Sequence, residues 1–235
     1  NRLKKIKYQI GNYPEITLSE IKYDELGRMI EKRRHDLTDL ELFSYNIRNW
    51  LKQKTSGSFN EFLYYNGDVP IPGLDTYNGN IAMSGIKSGP ITKSYAYTYD
   101  QLNRLTNGKG YYRTSGAYNP YGYDESFGYD KHGNINSLQR KNASTIIDYL
   151  SYTYNGNQIS NIFDYTGSQN SYAIKEYNDY NHIYSNDYDF KYDANGNLTV
   201  DKDRKIVTMK FNLLNLPDTI QFSNGNQIVN RYAAD

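Results

Sequence analysis

Three histidines, 26 acidic side chains and no cysteine are the raw material for metal or acid–base chemistry in this 235-residue chain. His35, His132 and His182 share no spacing that would converge two imidazoles on a metal. His132 falls inside a turn-like triplet and reads as a solvated loop residue. Acid pairs stand at Asp36/Asp39, Asp124/Glu125, Asp187/Asp189 and Asp201/Asp203. Two carboxylates about 5 to 9 Å apart can run glycoside hydrolysis, but a chain this rich in acids supplies such pairs by chance, and they read as solvated surface. A calcium loop needs alternating Asp or Asn ligands, a glycine and a later Glu. No stretch has that order, although the Asp-rich region 187–203 could hold a weak ion. Gly108-Lys109-Gly110 lacks the rest of a phosphate loop and a following helix, so it reads as a turn. Lys32-Arg33-Arg34 is short and flanked by Glu31 and Asp36, which fits a solvated strand or turn better than a nucleic-acid patch. Asn142 and Asn197 head glycosylation sequons that matter only on a eukaryotic secretory route. No catalytic, cofactor-binding or metal-ligating residue is assigned, and no cofactor is expected.

Charge narrows the partners. Lys plus Arg number 27, leaving a net charge of +1, so no large field exists to draw in nucleic acid or anionic lipid. No apolar run is long enough for a membrane span, and the Asn-Arg-Leu-Lys-Lys start is no signal peptide. Tyrosine is the extreme: 27 Tyr against 8 Phe and 1 Trp. A phenol suits a pleated, half-wet surface, because its ring packs while its hydroxyl finds a polar partner. Abundant Asn and Gly suit turns. The elements that must position any site are therefore short strands and many reversals.

Those reversals repeat. Tyr23-Asp24-Glu25-Leu26-Gly27-Arg28-Met29, Tyr99-Asp100-Gln101-Leu102-Asn103-Arg104-Leu105, Tyr129-Asp130-Lys131-His132-Gly133-Asn134-Ile135 and Tyr192-Asp193-Ala194-Asn195-Gly196-Asn197-Leu198 share one pattern. Looser copies start at Tyr45, with Asn49 in the glycine position, and at Phe211. A shortened copy runs from Tyr154 to Ile159, and the most divergent from Phe222 to Ile228. Asp or Asn accepts a bond from a backbone N–H two residues on, and Gly or Asn three places later supplies the left-handed conformation of a three-residue hairpin loop. With Ala194 to Gly196 as loop, Asp193 pairs with Asn197, and Tyr192 stands opposite Leu198. Two residues before each motif aromatic lie Ile21, Phe43, Tyr97, Phe127, Tyr152, Phe190 and Met209, a period-two strand signal in seven copies. The expected turn residues are Asp24, Gly27, Asn49, Asp100, Asn103, Asp130, Gly133, Asp193 and Gly196. The expected packing aromatics are Tyr23, Tyr45, Tyr99, Tyr129, Tyr154, Tyr192 and Phe211.

Between copies, strand-like stretches at 59–65 and 77–87 flank a Pro/Gly-rich loop, 66–76, that should protrude. Further loops are expected at 115–125 and 178–187. Residues 31–42 suit a strand at least as well as a helix. The fold class is all-β: a repetitive, curved antiparallel sheet of successive hairpins, treated as a single domain over 1–235 and cut from a longer polypeptide. One unit of about twenty residues cannot bury enough to offset its ordering entropy, so units must stack, each pairing with the next. Terminal units then expose unpaired strand edges, and dimers through those edges are expected.

Tyr-Asp-x-x-Gly-Asn/Arg-Leu/Ile at irregular intervals, from about Ile21 to Gln227, resembles the YD repeat of RHS proteins. In that family the repeats form a β-sheet that spirals into a hollow shell. Similar shells occur in polymorphic toxins, in the cocoon of insecticidal toxin complexes, where they enclose a toxic C-terminal segment, and in teneurins, where the barrel serves adhesion. The resemblance implies that this chain is non-enzymatic wall material forming part of a turn in a secreted or cell-surface protein. Its partners would be further repeats and an effector region of the same polypeptide. The family's self-cleaving core is not recognisable; Asn119-Pro120-Tyr121-Gly122 is similar to its Asp-Pro element but lacks the acid. The competing expectation is a carbohydrate-binding β module, since exposed tyrosines stack on sugars. Its platform would lie outside the motif, at Tyr64, Tyr65, Tyr111 or Tyr112, with Tyr177 and Tyr180 as further candidates.

Overall fold

A computed structural model describes residues 2–34, 37–57, 59–166 and 188–233. His35, Asp36, His182, Asp187, Tyr177, Tyr180 and the expected loop 178–187 lie outside the described residues. The described residues hold strands and turns and no helix. They divide into two compact units, 1–124 and 125–235.

The first unit runs β1 (Lys5–Tyr8), β2 (Ile16–Tyr23), β3 (Met29–Arg34), β4 (Asp39–Tyr45), β5 (Leu51–Ser56), β6 (Phe59–Tyr64), β7 (Met83–Ser88), β8 (Ile91–Tyr99), β9 (Leu105–Arg113) and β10 (Asn119–Pro120). Each strand pairs antiparallel with the next in sequence, β10 included, which folds back on β9. The second unit runs β11 (Glu125–Tyr129), β12 (Ile135–Asn142), β13 (Thr145–Asn155) and β14 (Gln158–Asp164), then β15 (Phe190–Tyr192), β16 (Leu198–Asp201), β17 (Ile206–Phe211), β18 (Pro217–Phe222) and β19 (Gln227–Val229). Both of its runs pair in sequence order. Each unit is built of successive antiparallel hairpins, and among the described residues neither closes into a barrel.

The register follows the pattern of aromatics. Tyr23 faces Met29, Tyr45 faces Leu51, Tyr99 faces Leu105, Tyr129 faces Ile135, Tyr192 faces Leu198 and Phe211 faces Pro217. A register shift follows each pair, for instance between Lys22 and Tyr23, so the ladder absorbs one extra residue beside the loop. The most divergent copy is displaced by one. Gln221, not Phe222, faces Gln227, because Phe222 takes the turn position that Asp holds elsewhere.

Fully buried apolar residues are few. Tyr65, Ala82, Met83 and Ala96 form the core of the first unit; Leu138, Ile147, Leu150, Phe190 and Ile206 form that of the second. Most motif aromatics are half-buried on a wet sheet, as a phenol-rich composition demands. Residues 29–34 and 39–45 are two strands of a hairpin, so the helical option at 31–42 is not taken. The loop after β6 is longer than its Pro/Gly core. The expected second strand at 77–87 starts only at Met83, because residues 77–81 still belong to the reversal. Gly108-Lys109-Gly110 is a strand, not a turn. Its glycines leave room for neighbours: a Cβ on Gly108 would touch the rings of Tyr95 and Tyr97, and one on Gly110 would come within 3.1 Å of the Tyr123 carbonyl oxygen.

Candidate functional site

The features that recur from copy to copy are turns and the joints between them. In the first turn the Asp24 N–H donates to the Arg28 carbonyl at 2.9 Å, and Gly27 N–H donates to the Asp24 carbonyl at 2.9 Å. The Asp24 carboxylate accepts the Arg28 N–H on Oδ1 at 2.8 Å and the guanidinium Nε on Oδ2 at 2.6 Å. Asp100 holds Arg104 in the same way. Asp130 and Asp193 hold the carboxamides of Asn134 and Asn197, which reach Oδ2 at 2.9 and 3.0 Å. Arg and Asn are thus interchangeable in the motif because each offers a side-chain donor to one carboxylate.

These bonds lower all four carboxyls below the usual range. For Asp24 burial pushes upward and Arg28 outweighs it; for Asp100 the Arg104 backbone N–H leads; for Asp130 and Asp193 the carboxamide donor leads. The left-handed position is Gly27, Gly133 or Gly196 in three copies, at φ 80°, 91° and 85°, and Asn49, Asn103 or Asn215 in three others, at φ 64°, 63° and 57°.

The joint is made by the tyrosine hydroxyl. Tyr23 donates to the Leu3 carbonyl at 2.9 Å, Tyr45 to Met29 at 2.8 Å, Tyr65 to Leu51 at 3.1 Å, Tyr99 to Ile81 at 2.8 Å and Tyr154 to Ile135 at 2.7 Å. Tyr232 donates to Pro217 at 2.8 Å. Met29, Leu51, Ile135 and Pro217 are the residues that close the preceding motif copy, six places after its aromatic. The Tyr192 hydroxyl lies beside the backbone of Ile159, which closes the shortened copy. Tyr45, Tyr65, Tyr99 and Tyr154 therefore clip their own hairpins to the one before. Phe211 stands in the same position without a hydroxyl. Burial raises the Tyr45, Tyr65, Tyr99, Tyr154 and Tyr192 hydroxyls above their usual value, and takes Tyr152, two residues before a motif aromatic, to about 12.

At three of these joints the residue just before the acceptor covers the ring. Arg2 lies 5.7 Å over Tyr23, Arg28 lies 5.0 Å over Tyr45, and the Trp50 ring lies 4.9 Å from that of Tyr65. The same residue reaches the neighbouring turn where an asparagine holds the left-handed position. Arg28 donates to Asn49 Oδ1 at 2.9 Å, Asn80 to Asn103 Oδ1 at 3.3 Å and Asn197 to Asn215 Oδ1 at 3.1 Å. Asn is thus more than a glycine substitute: its carboxamide receives a bond from the previous turn.

Two joint residues were not expected from the sequence. Tyr65-Asn66 opens a copy and Gly79-Asn80-Ile81 closes it, with residues 67–78 inserted where compact copies have two. The signal was present, since Gly79-Asn80-Ile81 repeats Gly133-Asn134-Ile135. Tyr232 has a hydroxyl role but is followed by Ala233 instead of the motif's Asp or Asn.

The expected sugar platform is dispersed. Tyr65 is 7 % exposed and serves as a joint, which leaves a sugar nothing to stack on. Burial pushes the Tyr64 hydroxyl up to about 12. Tyr111 faces Ser94, and Tyr112 faces Lys93 and packs 5.8 Å from Tyr121. The candidate chemical groups are engaged or scattered. His132 is exposed in its turn, 3.9 Å from Asp130. Asp201, 1 % exposed, is held by the Arg204 N–H and guanidinium. Arg33 and Arg34 pair with Glu31 and Glu41. The Asn197 amide nitrogen donates to Asp193 and Asn215, so a glycan there would leave one N–H for two acceptors. Among the described residues no group of three His, Cys, Asp or Glu could hold a metal ion.

No protein-family model matches the sequence, and no curated protein sequence matches it. Solved structures do share the fold. The chain is similar to TcdB2-TccC3 without its hypervariable C-terminal region, at a TM-score of 0.61 and 14 % identity over 96 % of this chain. It is likewise similar to TcdB2-TccC3-TEV, at 0.64 and 14 % over 98 %, and to the Tc holotoxin pore of Photorhabdus luminescens carrying TccC3-D651A, at 0.62 and 14 % over 98 %. The chain spans 11 % of the length of each. At this identity the likeness defines the fold: this chain is built as an RHS-like antiparallel sheet.

Proposed function

We propose that this chain is a non-enzymatic wall segment of an RHS-type, YD-repeat protein, whose repeats enclose or support a C-terminal effector or adhesive region. The observation that carries the proposal is the joint, in which each tyrosine hydroxyl binds the backbone of the preceding hairpin. Such a contact extends a sheet copy by copy and uses its conspicuous side chains for cohesion. The fold shared with TcdB2-TccC3 supports the same reading. On this reading residues 1–235 act as one continuous stretch of wall, the motif aromatics and turn residues are its mortar, and the partners are neighbouring repeats and the effector region of the same polypeptide. The parent is secreted or displayed at the cell surface. No helix among the described residues is long and apolar enough to cross a membrane.

The test is limited proteolysis of the full parent polypeptide. Its C-terminal segment should resist cleavage while the wall is intact and become sensitive when joint tyrosines are replaced by alanine. Equal sensitivity of that segment in the intact parent and as a free fragment would end the proposal.

A further inference from the structure

The inserted loop that interrupts the hairpin of β6 and β7 builds a cleft against the next motif turn. The cleft has a volume of about 590 Å³, within the usual size of small-ligand sites. It lies between residues 73–80 of the loop and the hairpin of β8 and β9, with Tyr77, Asn78, Asn80, Asp100 and Asn103 among its walls.

The loop is tied down on several sides. Thr76 N–H donates to the Tyr65 carbonyl at 2.7 Å, Gly67 N–H to Asp75 Oδ1 at 2.6 Å and Arg48 to the Tyr77 carbonyl at 2.7 Å. Gly79, at φ 98°, sits against Trp50, where a Cβ would come within 3.2 Å of the indole. Despite this anchoring the Tyr77 side chain is held outward, 67 % exposed. An anchored backbone that presents an aromatic ring to solvent has already met the ordering cost of binding.

Beside the ring lies a carboxamide cluster. Asn78 and Asn80 both donate to Asn103 Oδ1, at 2.5 and 3.3 Å, and Asn78 Oδ1 accepts the Asn80 N–H at 3.1 Å. Among the described residues this network leaves Asn80 Oδ1 as an acceptor and Asn103 Nδ2 as a donor. No Lys, Arg or His lines the cleft, while Asp75 and Asp100 do, so an anionic ligand would meet no counter-charge there. Its walls mix carboxamides and carboxylates with the Leu74 side chain and tyrosine rings, as an amphipathic ligand requires.

We propose that this cleft is a binding site for a neutral saccharide. The Tyr77 ring offers a face for the C–H side of a pyranose, and the Asn80 and Asn103 carboxamides offer the acceptor and donor that a pair of neighbouring hydroxyls requires. The site is distinct from Tyr64, Tyr65, Tyr111 and Tyr112, and it shares Asp100 and Asn103 with a turn of the wall. It places recognition between an insertion and the turn that follows Tyr99.

The full chain should be applied to an array of neutral oligosaccharides ending in glucose, galactose, mannose or N-acetylglucosamine, with sulfated and sialylated glycans alongside. Any neutral ligand found would be titrated by saturation-transfer NMR. Binding of a neutral class is expected, weakened at least about tenfold by Tyr77→Ala and by Asn103→Gly, a residue that sister turns accept at that position. Tyr77→Phe, which keeps the ring, and Tyr13→Ala, at an equally open tyrosine elsewhere, should leave it unchanged. Absence of any neutral ligand, binding confined to charged glycans, or undiminished binding by Tyr77→Ala would overturn the proposal.

Discussion

Replacing Tyr99 by Phe removes one oxygen and nothing else, so it isolates the hydroxyl joint from the packing of the ring. The hydroxyl lies 2.8 Å from the Ile81 carbonyl, across the junction between two hairpins. A neutral hydrogen bond contributes about 0.5 to 1.5 kcal/mol net, and an acceptor left unsatisfied where water reaches it poorly costs about 1 to 3 kcal/mol. Tyr99 and Ile81 are half-buried, which places the expected loss at about 1 to 2 kcal/mol. The assay is denaturant unfolding followed by circular dichroism, paired with hydrogen exchange of the amides that flank Ile81. Tyr99→Phe should lower the unfolding midpoint at an unchanged slope and speed exchange in β7 and β8. The control is Tyr13→Phe, whose ring is 73 % exposed, and it should change neither quantity. Equal midpoints for Tyr99→Phe and the parent protein, or equal losses at Tyr99 and Tyr13, would refute the claim that the hydroxyl binds neighbouring hairpins together.

The complementary gain is Phe211→Tyr, which supplies the missing hydroxyl beside the residue that closes the Tyr192 copy and should stabilise the second unit by about 0.5 to 1.5 kcal/mol in the same assay. Gly133→Ala should cost about 1 to 2 kcal/mol, because nothing lies within 4 Å of a Cβ there and the penalty is that of φ 91° alone; Gly133→Asn should recover most of it, as thermal melting would reveal. The tyrosine shifts predict alkaline unfolding. Hydroxyls raised above 10.0 in the folded state stabilise it fully below that pH, and the contribution is lost as pH climbs toward about 12; tyrosinate absorbance and circular dichroism should change together across that window. The turn carboxyls titrate with the opposite sign. Asp24, Asp100, Asp130 and Asp193 are lowered from 3.8, so their stabilisation is present above that value and disappears as pH falls below it, and proton titration followed by NMR should find these carboxyls still ionised when free aspartate is not. Edge pairing through β1 or β19 predicts concentration-dependent light scattering, tempered at β1 by Lys5 and Lys7.

The octets alone determined that this chain folds as hairpins. Asp193 and Gly196 dictate a three-residue reversal, and once it forms, Tyr192 can only stand opposite Leu198. These are local rules, because the bonds that decide them span four residues. The interrupted copy was harder to read for a physical reason. Residues 67–78 separate Tyr65 from Gly79-Asn80-Ile81, and periodicity cannot count across an insertion whose length is arbitrary. The glycine pair of β9 misled in the same way, since a glycine that makes room for a neighbouring ring is indistinguishable in sequence from one that turns the chain.

What only the tertiary structure decided is the partner of each side chain. Composition explains why tyrosine suits a wet sheet, yet Tyr45 could as well have met water as the Met29 carbonyl. Gly27 and Asn49 are equivalent to any rule about left-handed residues. They differ once the neighbouring turn brings the Arg28 guanidinium to Asn49 Oδ1, 21 residues away along the chain. Nor could the sequence tell a buried Tyr65 from an outward Tyr77, because exposure is set by what stacks on a ring after the hairpins assemble. Backbone reversals are written in neighbouring residues, whereas cohesion and recognition depend on groups that meet only through folding.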